Sequence, residues 1–130
     1  MATEISRSVI PKEVPIEDAV FNLKRMGMFI EAVNKGDTEL MKVALTDKLH
    51  QPYREKLVPG LKELSEAFKH EDDVLGCVLS GAGSSMLIIS KYNALDKVNS
   101  ITRDIMDYLN VKADIRNLKL EPKGAEIISE

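Results

Sequence analysis

His50, Gln51, Tyr53 and Arg54 crowd around Pro52 in the stretch LTDKLHQPYREKLVPG, residues 45–60. A guanidinium is a planar fork that meets a carboxylate through two parallel hydrogen bonds, which a lysine ammonium cannot do. Arg54, set just after a rigid Pro-Tyr corner, is therefore a candidate anchor for a small carboxylic acid. An arginine near a helix end also serves simply as a solvated or carbonyl-capping side chain, and His50 alone is more often an orienting histidine than a proton carrier. The second element with chemical potential is LSGAGSS, residues 79–85. Glycines let the backbone turn sharply and approach a ligand, and successive N–H groups there can cradle an anion. It is not a Walker loop, because no Gly-Lys-Ser/Thr follows, nor a dinucleotide fingerprint, because strand-like MLIIS follows it. A tight connection chosen only for its geometry is an equally open reading.

Other chemistries find little support. No pair of carboxylates stands out for acid–base work, and Asp72–Asp73 falls in a charged loop. Cys77 is the only cysteine. It lies in the apolar run VLGCVLSG, which reads as a buried, inert thiol without a disulfide partner. His50 and His70 have no companions at ligand spacing, so no metal site is read here. The six methionines fit core filling. Hydrophobic residues at 44% and charged residues at 30% are the balance of one folded domain. A net charge of -3 does not suggest nucleic acid or an anionic membrane as a partner. No apolar run approaches the ~20 residues that span a bilayer. The opening MATEISRSVI lacks the features of a signal peptide, and a cytoplasmic setting is expected.

The positioning elements follow from periodicity. After a short leading segment, Ile16, Ala19, Val20, Leu23, Met26, Gly27, Ile30 and Val33 form one helical stripe, expected to face the core, with Pro15 at its start and Gly36 just past its end. Asp37 reads as the N-cap of a second helix through Leu40, Val43 and Ala44. That helix must fade before Pro52, so HQPYR is a helix terminus or loop. A third helix follows Gly60, with Leu61, Leu64, Ala67 and Phe68 inward. VLGCVLS and MLIIS read as two buried strands. Asn93 reads as the cap of a fourth helix with Leu95, Val98, Ile101, Ile105 and Leu109 on its apolar face. VKADIRNLKL and AEII read as two further strands. Helices followed by strand–strand–helix–strand–strand give an α+β domain, with helices layered on one face of an antiparallel sheet.

DKLHQPYREKLVPG at 47–60 followed by LSGAGSS at 79–85 resembles the C-terminal half of the homoserine kinases, within the GHMP kinase superfamily. The leading TEISRSVIP resembles that family's Thr-x-x-x-Arg-x-x-Leu-Pro segment, with Thr3 and Arg7 in the matching places, and the likeness covers nearly the whole chain. The resemblance implies a ferredoxin-like GHMP kinase C-terminal domain over residues 1–130. It also implies transfer of the ATP γ-phosphoryl group to the hydroxyl of L-homoserine, on the threonine pathway. By matching position Arg54 and Arg7 would hold the homoserine carboxylate, with His50 beside them. Thr3 would lie near the reacting hydroxyl, and Gly81, Ala82 and Gly83 would shape the pocket beside the phosphoryl group. Ser84 stands where the family usually has proline.

The family's Pro-x-x-x-Gly-Leu-Gly-Ser-Ser loop does not occur in these residues. ATP and Mg2+ are therefore expected on an N-terminal domain that is absent here, and the isolated chain is expected to be inactive and prone to self-association. Two readings from other classes compete: a non-catalytic domain that binds a small amino acid, and an assembly domain that pairs through its sheet edge or helices. The His-Gln-Pro-Tyr-Arg segment together with Arg7 discriminates against both, since neither has a reason to carry them.

Overall fold

The computed structural model describes residues 3–128. Six helices and two strands follow in the order α1 (Thr3–Ser8), α2 (Ile16–Lys35), α3 (Thr38–Ala44), α4 (Gln51–Arg54), α5 (Leu61–Phe68), β1 (Val74–Leu79), β2 (Met86–Ser90) and α6 (Leu95–Tyr108). Short 3-10 turns extend α4 and precede α6. The strands pair antiparallel, with a bulge between Val74 and Gly76. The core lies between this sheet and α5 and α6. Leu64, Phe68, Val74, Ala94, Val98 and Met106 are buried there, and Cys77, Met86 and Ile88 close it from the strand side.

Local rules explain most boundaries. Asp37 caps α3 by accepting from Leu40 N at 2.9 Å, and Gly36 ends α2 in the left-handed region at φ 65°. Gly60 starts α5 at φ 89°, and a Cβ there would stand 2.4 Å from the Met106 methyl, so both the turn and the close approach of α6 require glycine. Thr3–Ser8, read only as a leading segment, is helical. Asn93 does not cap α6. Its amide donates instead to Asp73 Oδ2 at 3.0 Å, and Ala94 occupies the cap position.

Two expectations fail. Residues 111–128 form no strand, so the sheet has two strands and not four. Alternation prepares a segment for pairing, but a strand also needs a ladder partner for its N–H and C=O groups. Beyond Val111, which packs on the core, this segment leaves Leu118, Leu120, Ile127 and Ile128 exposed.

The other concerns α2, whose apolar stripe faces outward. Ile16 is 71% exposed and Leu23 73%, with Met26, Ile30 and Val33 also exposed. The inward face carries Asp18, Phe21, Asn22, Arg25, Met28 and the buried Ala32. Beside α2 lies the Thr46–Lys48 segment, which offers polar partners. Arg25 Nε donates to Thr46 Oγ1 at 2.8 Å, Lys48 N donates to Asn22 Oδ1 at 3.0 Å, and Lys48 Nζ pairs with Asp18 at 2.8 Å. Arg25 also lies 4.1 Å from the centre of the Phe21 ring. The covered face of this helix is thus lined by polar contacts, and its apolar stripe lies on the opposite side.

These faces make opposite predictions for two leucines. Leu64→Ala should cost about 2–5 kcal/mol in urea unfolding, as a fully buried core truncation does. Leu23→Gln should shift stability by no more than about 0.5 kcal/mol, as an exposed helix substitution does. A loss of several kcal/mol at Leu23 would show that the stripe is packed after all.

Candidate functional site

The site is built outward from Asp47. Its Oδ1 accepts from Asn22 Nδ2 at 2.5 Å and from Leu49 N at 2.9 Å, while Oδ2 accepts from His50 N at 2.8 Å and Gln51 N at 2.5 Å. Three otherwise orphaned N–H groups ahead of and at the start of α4 thus share one carboxylate. Pro52, which has no N–H to satisfy, falls in the first turn where proline is tolerated. The HQPYR segment is therefore where a helix begins. Partial burial alone would raise the Asp47 pKa, but the hydrogen bonds from Asn22 and the backbone N–H groups outweigh it and hold the carboxyl below its usual range.

From this start α4 reaches the other elements. Gln51 Oε1 accepts from Leu79 N at 2.6 Å and so fixes the end of β1. One turn later Arg54 Nε donates to Ser6 O at 3.1 Å, and Nη1 donates to Gly81 O at 3.3 Å. Ser6 Oγ donates to Ala82 O at 2.5 Å. The turn itself closes through Ser80 N to Ser85 O at 3.0 Å, with Gly81 at φ 67° and Gly83 at φ 88°. Those angles require glycine, whereas a Cβ on Gly81 would meet no neighbour within 4 Å.

The arrangement leaves specific donors free. Arg54 has five N–H donors, of which two are engaged by carbonyls, so among the described residues three remain without a partner on a half-buried guanidinium. In a trans peptide the C=O of one residue and the N–H of the next point opposite ways. With Gly81 O and Ala82 O drawn toward Arg54 and Ser6, the N–H groups of Ala82 and Gly83 point to the other side of the loop. They donate to nothing among the described residues. One side of the loop thus faces a cation and the other presents backbone donors, an arrangement able to bind a molecule with two differently placed anionic groups.

Of the residues anticipated from the sequence, the structure brings together Arg54, Gly81 and Ala82, with Gly83 completing the turn. Arg7 is exposed on α1 next to Ser6, and Thr3 lies one turn earlier on the same face. The His50 imidazole is half-exposed, with Nδ1 3.7 Å from Asp47 Oδ1, too far for a hydrogen bond, so its contribution here is its backbone N–H. Sequence reasoning missed Asp47, Asn22 and Ser6, and picked out Gln51 only as a polar group beside Pro52, without its bond to Leu79. For Asp47 a signal existed: an Asp a few residues ahead of a proline-started turn is an N-terminal capping pattern. The pairing of Asn22 with Asp47 and of Ser6 with Ala82 leaves no trace in local sequence.

Cavities lie elsewhere. One of about 310 Å³ is floored by Phe68 and Ile101, with His70, Asp73 and Lys97 on its rim, and another of about 450 Å³ lies between α6 and the segment after it. The rim charges of the first are largely paired with neighbours, Asp73 with Lys91 and Asn93 and Glu71 with Lys97. The convergent donors around Arg54 carry no such paired charges. Burial pushes the Cys77 thiol up to about 11. Among the described residues no group of three or more His, Cys, Asp and Glu side chains could hold a metal ion.

A family model described as GHMP kinases C terminal matches residues 29–103. A homoserine kinase of Crocosphaera subtropica is 35% identical over 127 residues, covering 98% of this chain and 41% of that protein. One of Aquifex aeolicus is 35% identical over 130 residues, covering 99% of this chain and 43% of the relative. The crystal structure of homoserine kinase from Cytophaga hutchinsonii superposes with a TM-score of 0.80 at 25% identity, over 88% of this chain and 36% of that one. The chain thus spans well under half the length of these relatives.

Asp47 generates the test of this geometry. Its pKa is lowered on folding, so its contribution is full above the unfolded value near 3.8 and is lost as the pH falls through the folded value. Asp47→Asn should cost about 1–2 kcal/mol at pH 7. The difference between variant and wild type should shrink below pH 4 in pH-resolved urea melts. A difference constant from pH 7 to pH 3 would refute the capping role.

Proposed function

Because this chain belongs to the GHMP kinase C-terminal family, we propose that it forms the carboxylate-binding side of a homoserine kinase site. There the γ-phosphoryl group of ATP passes to the side-chain hydroxyl of L-homoserine, on the threonine pathway. The observation that carries this reading is the setting of Arg54: held by Ser6 O and Gly81 O at the edge of a glycine turn, with three N–H donors unspent.

Arg54 takes the homoserine carboxylate through its fork, and Arg7, exposed on the neighbouring helix, adds a second positive charge. Anchoring one end of a short substrate fixes where its hydroxyl lies. Phosphoryl transfer depends mainly on such positioning and on stabilising charge around the transferring group, so a strong general base is not required. Thr3, on the face of α1 that carries Arg7, stands near the reacting hydroxyl. The outward N–H groups of Ala82 and Gly83 meet negative charge on the far side of the turn. ATP and Mg2+ are held by polypeptide outside these residues, whose 130 positions include no Gly-Leu-Gly-Ser-Ser phosphate loop. The chain by itself does not turn over.

An amide NMR titration with L-homoserine tests the reading. Wild type should shift at Arg54 and across Gly81–Ser85. Arg54→Lys, which keeps the charge but loses the fork, should weaken binding at least about tenfold, or about 1.4 kcal/mol. Equal affinity in the lysine variant, or no shift in wild type, would sink the carboxylate assignment. ATP-dependent phosphorylation of homoserine by this chain alone would overturn the division of labour.

A further inference from the structure

Ser6 is the one polar side chain among the described residues with no exposed surface at all. A buried hydroxyl must find a partner, and this residue joins both halves of the site. Its Oγ donates to Ala82 O at 2.5 Å, and its backbone O accepts from Arg54 Nε at 3.1 Å. The third side of the triangle, from Arg54 Nη1 to Gly81 O, is the longest at 3.3 Å. Gln51 holds the chain at Leu79 N, ahead of the turn; without the hydroxyl, the Gly81–Gly83 apex would be tied to α1 and α4 only through the guanidinium that must also bind the ligand. A carboxylate is a stronger acceptor than a peptide carbonyl, so a ligand drawn to the unspent donors also pulls the guanidinium away from Gly81 O. A loop held by Arg54 alone would then loosen at the moment of binding.

We propose that Ser6 is a positioning residue that fixes the glycine turn independently of Arg54, so that Arg54 can exchange Gly81 O for a ligand carboxylate without releasing the turn. This rests on the reading of Arg54 as the carboxylate anchor. The hydroxyl acts through the loop and does not touch the substrate.

The test uses the full chain as wild type, Ser6→Ala and Ser6→Cys, the last similar in size but a weaker donor. Hydrogen exchange is followed first without ligand, at Ser80 N–H, which closes the turn, and at Leu64 N–H in the core, which donates to Gly60 O at 2.9 Å. Each protein is then titrated with L-homoserine. In Ser6→Ala, exchange at Ser80 should rise at least about tenfold while Leu64 stays protected, and homoserine affinity should fall about tenfold, with Ser6→Cys between the two. Wild-type exchange at Ser80 in Ser6→Ala would overturn the proposal. If Ser6→Ala does not fold, Ser6→Cys decides it, and exchange at Ser80 indistinguishable from wild type would overturn it equally. Should wild type bind no homoserine, the carboxylate reading falls. The exchange data would still decide whether Ser6 fixes the turn.

Discussion

The carboxylate of Asp47 is the point on which the rest of the structure depends. It gathers the N–H groups of Leu49, His50 and Gln51 and the amide of Asn22. In doing so it ties α2 to the start of α4. A helix as short as α4 cannot sustain itself, because nucleation is unfavourable and one turn recovers little of that cost. It persists because its first donors are satisfied from outside and its two ends are anchored by the side chains of Gln51 and Arg54. Removal of this one acceptor would strand three backbone donors and a side-chain amide together, which explains why a partly buried carboxylate stays ionised here.

Asp47 sets where α4 begins, and so where Arg54 falls one turn later. The guanidinium is neither buried in an ion pair nor free in solvent. It spends two donors on carbonyls, which fixes its plane, and keeps three. Carbonyl acceptors orient an arginine without neutralising it, and that combination favours recruitment of an anion. The same bonds hold Gly81 O and Ala82 O on the arginine side of the turn, which aims the next N–H groups outward. Cation and backbone donors are thereby set on opposite sides of the turn.

The apolar stripe of α2 lies outward, opposite its polar ties. The exposed surface of the chain is 9805 Å², against about 6,900 Å² for a compact monomer of this mass. Part of the excess is the extended segment after α6, and part is the apolar face of α2. Turning α2 inward would gain apolar burial, but it would break the contacts of Asn22, Arg25 and Asp18 with residues 46–48. Breaking them would leave Asp47 without its Asn22 partner.

By itself the sequence determined what depends on neighbours along the chain. Asp37 capped α3, Gly36 ended α2, Pro52 marked a helix boundary, and the change of period at Val74 announced the β1–β2 pair. It also marked Arg54 and the Gly81–Gly83 turn as chemically unusual, because guanidinium forks and glycine turns are legible as residue types. Only the tertiary structure decided which face of α2 is covered, that residues 111–128 remain unpaired, and that Asn93 binds Asp73 instead of capping α6. It alone made Ser6 the joint between Arg54 and Ala82. Each of these depends on a partner far away in sequence, 76 residues in the case of Ser6 and Ala82. A hydrophobic period states that a face disfavours water, and an alternating pattern states that a segment can pair. Neither specifies what will be lying alongside when the chain has folded.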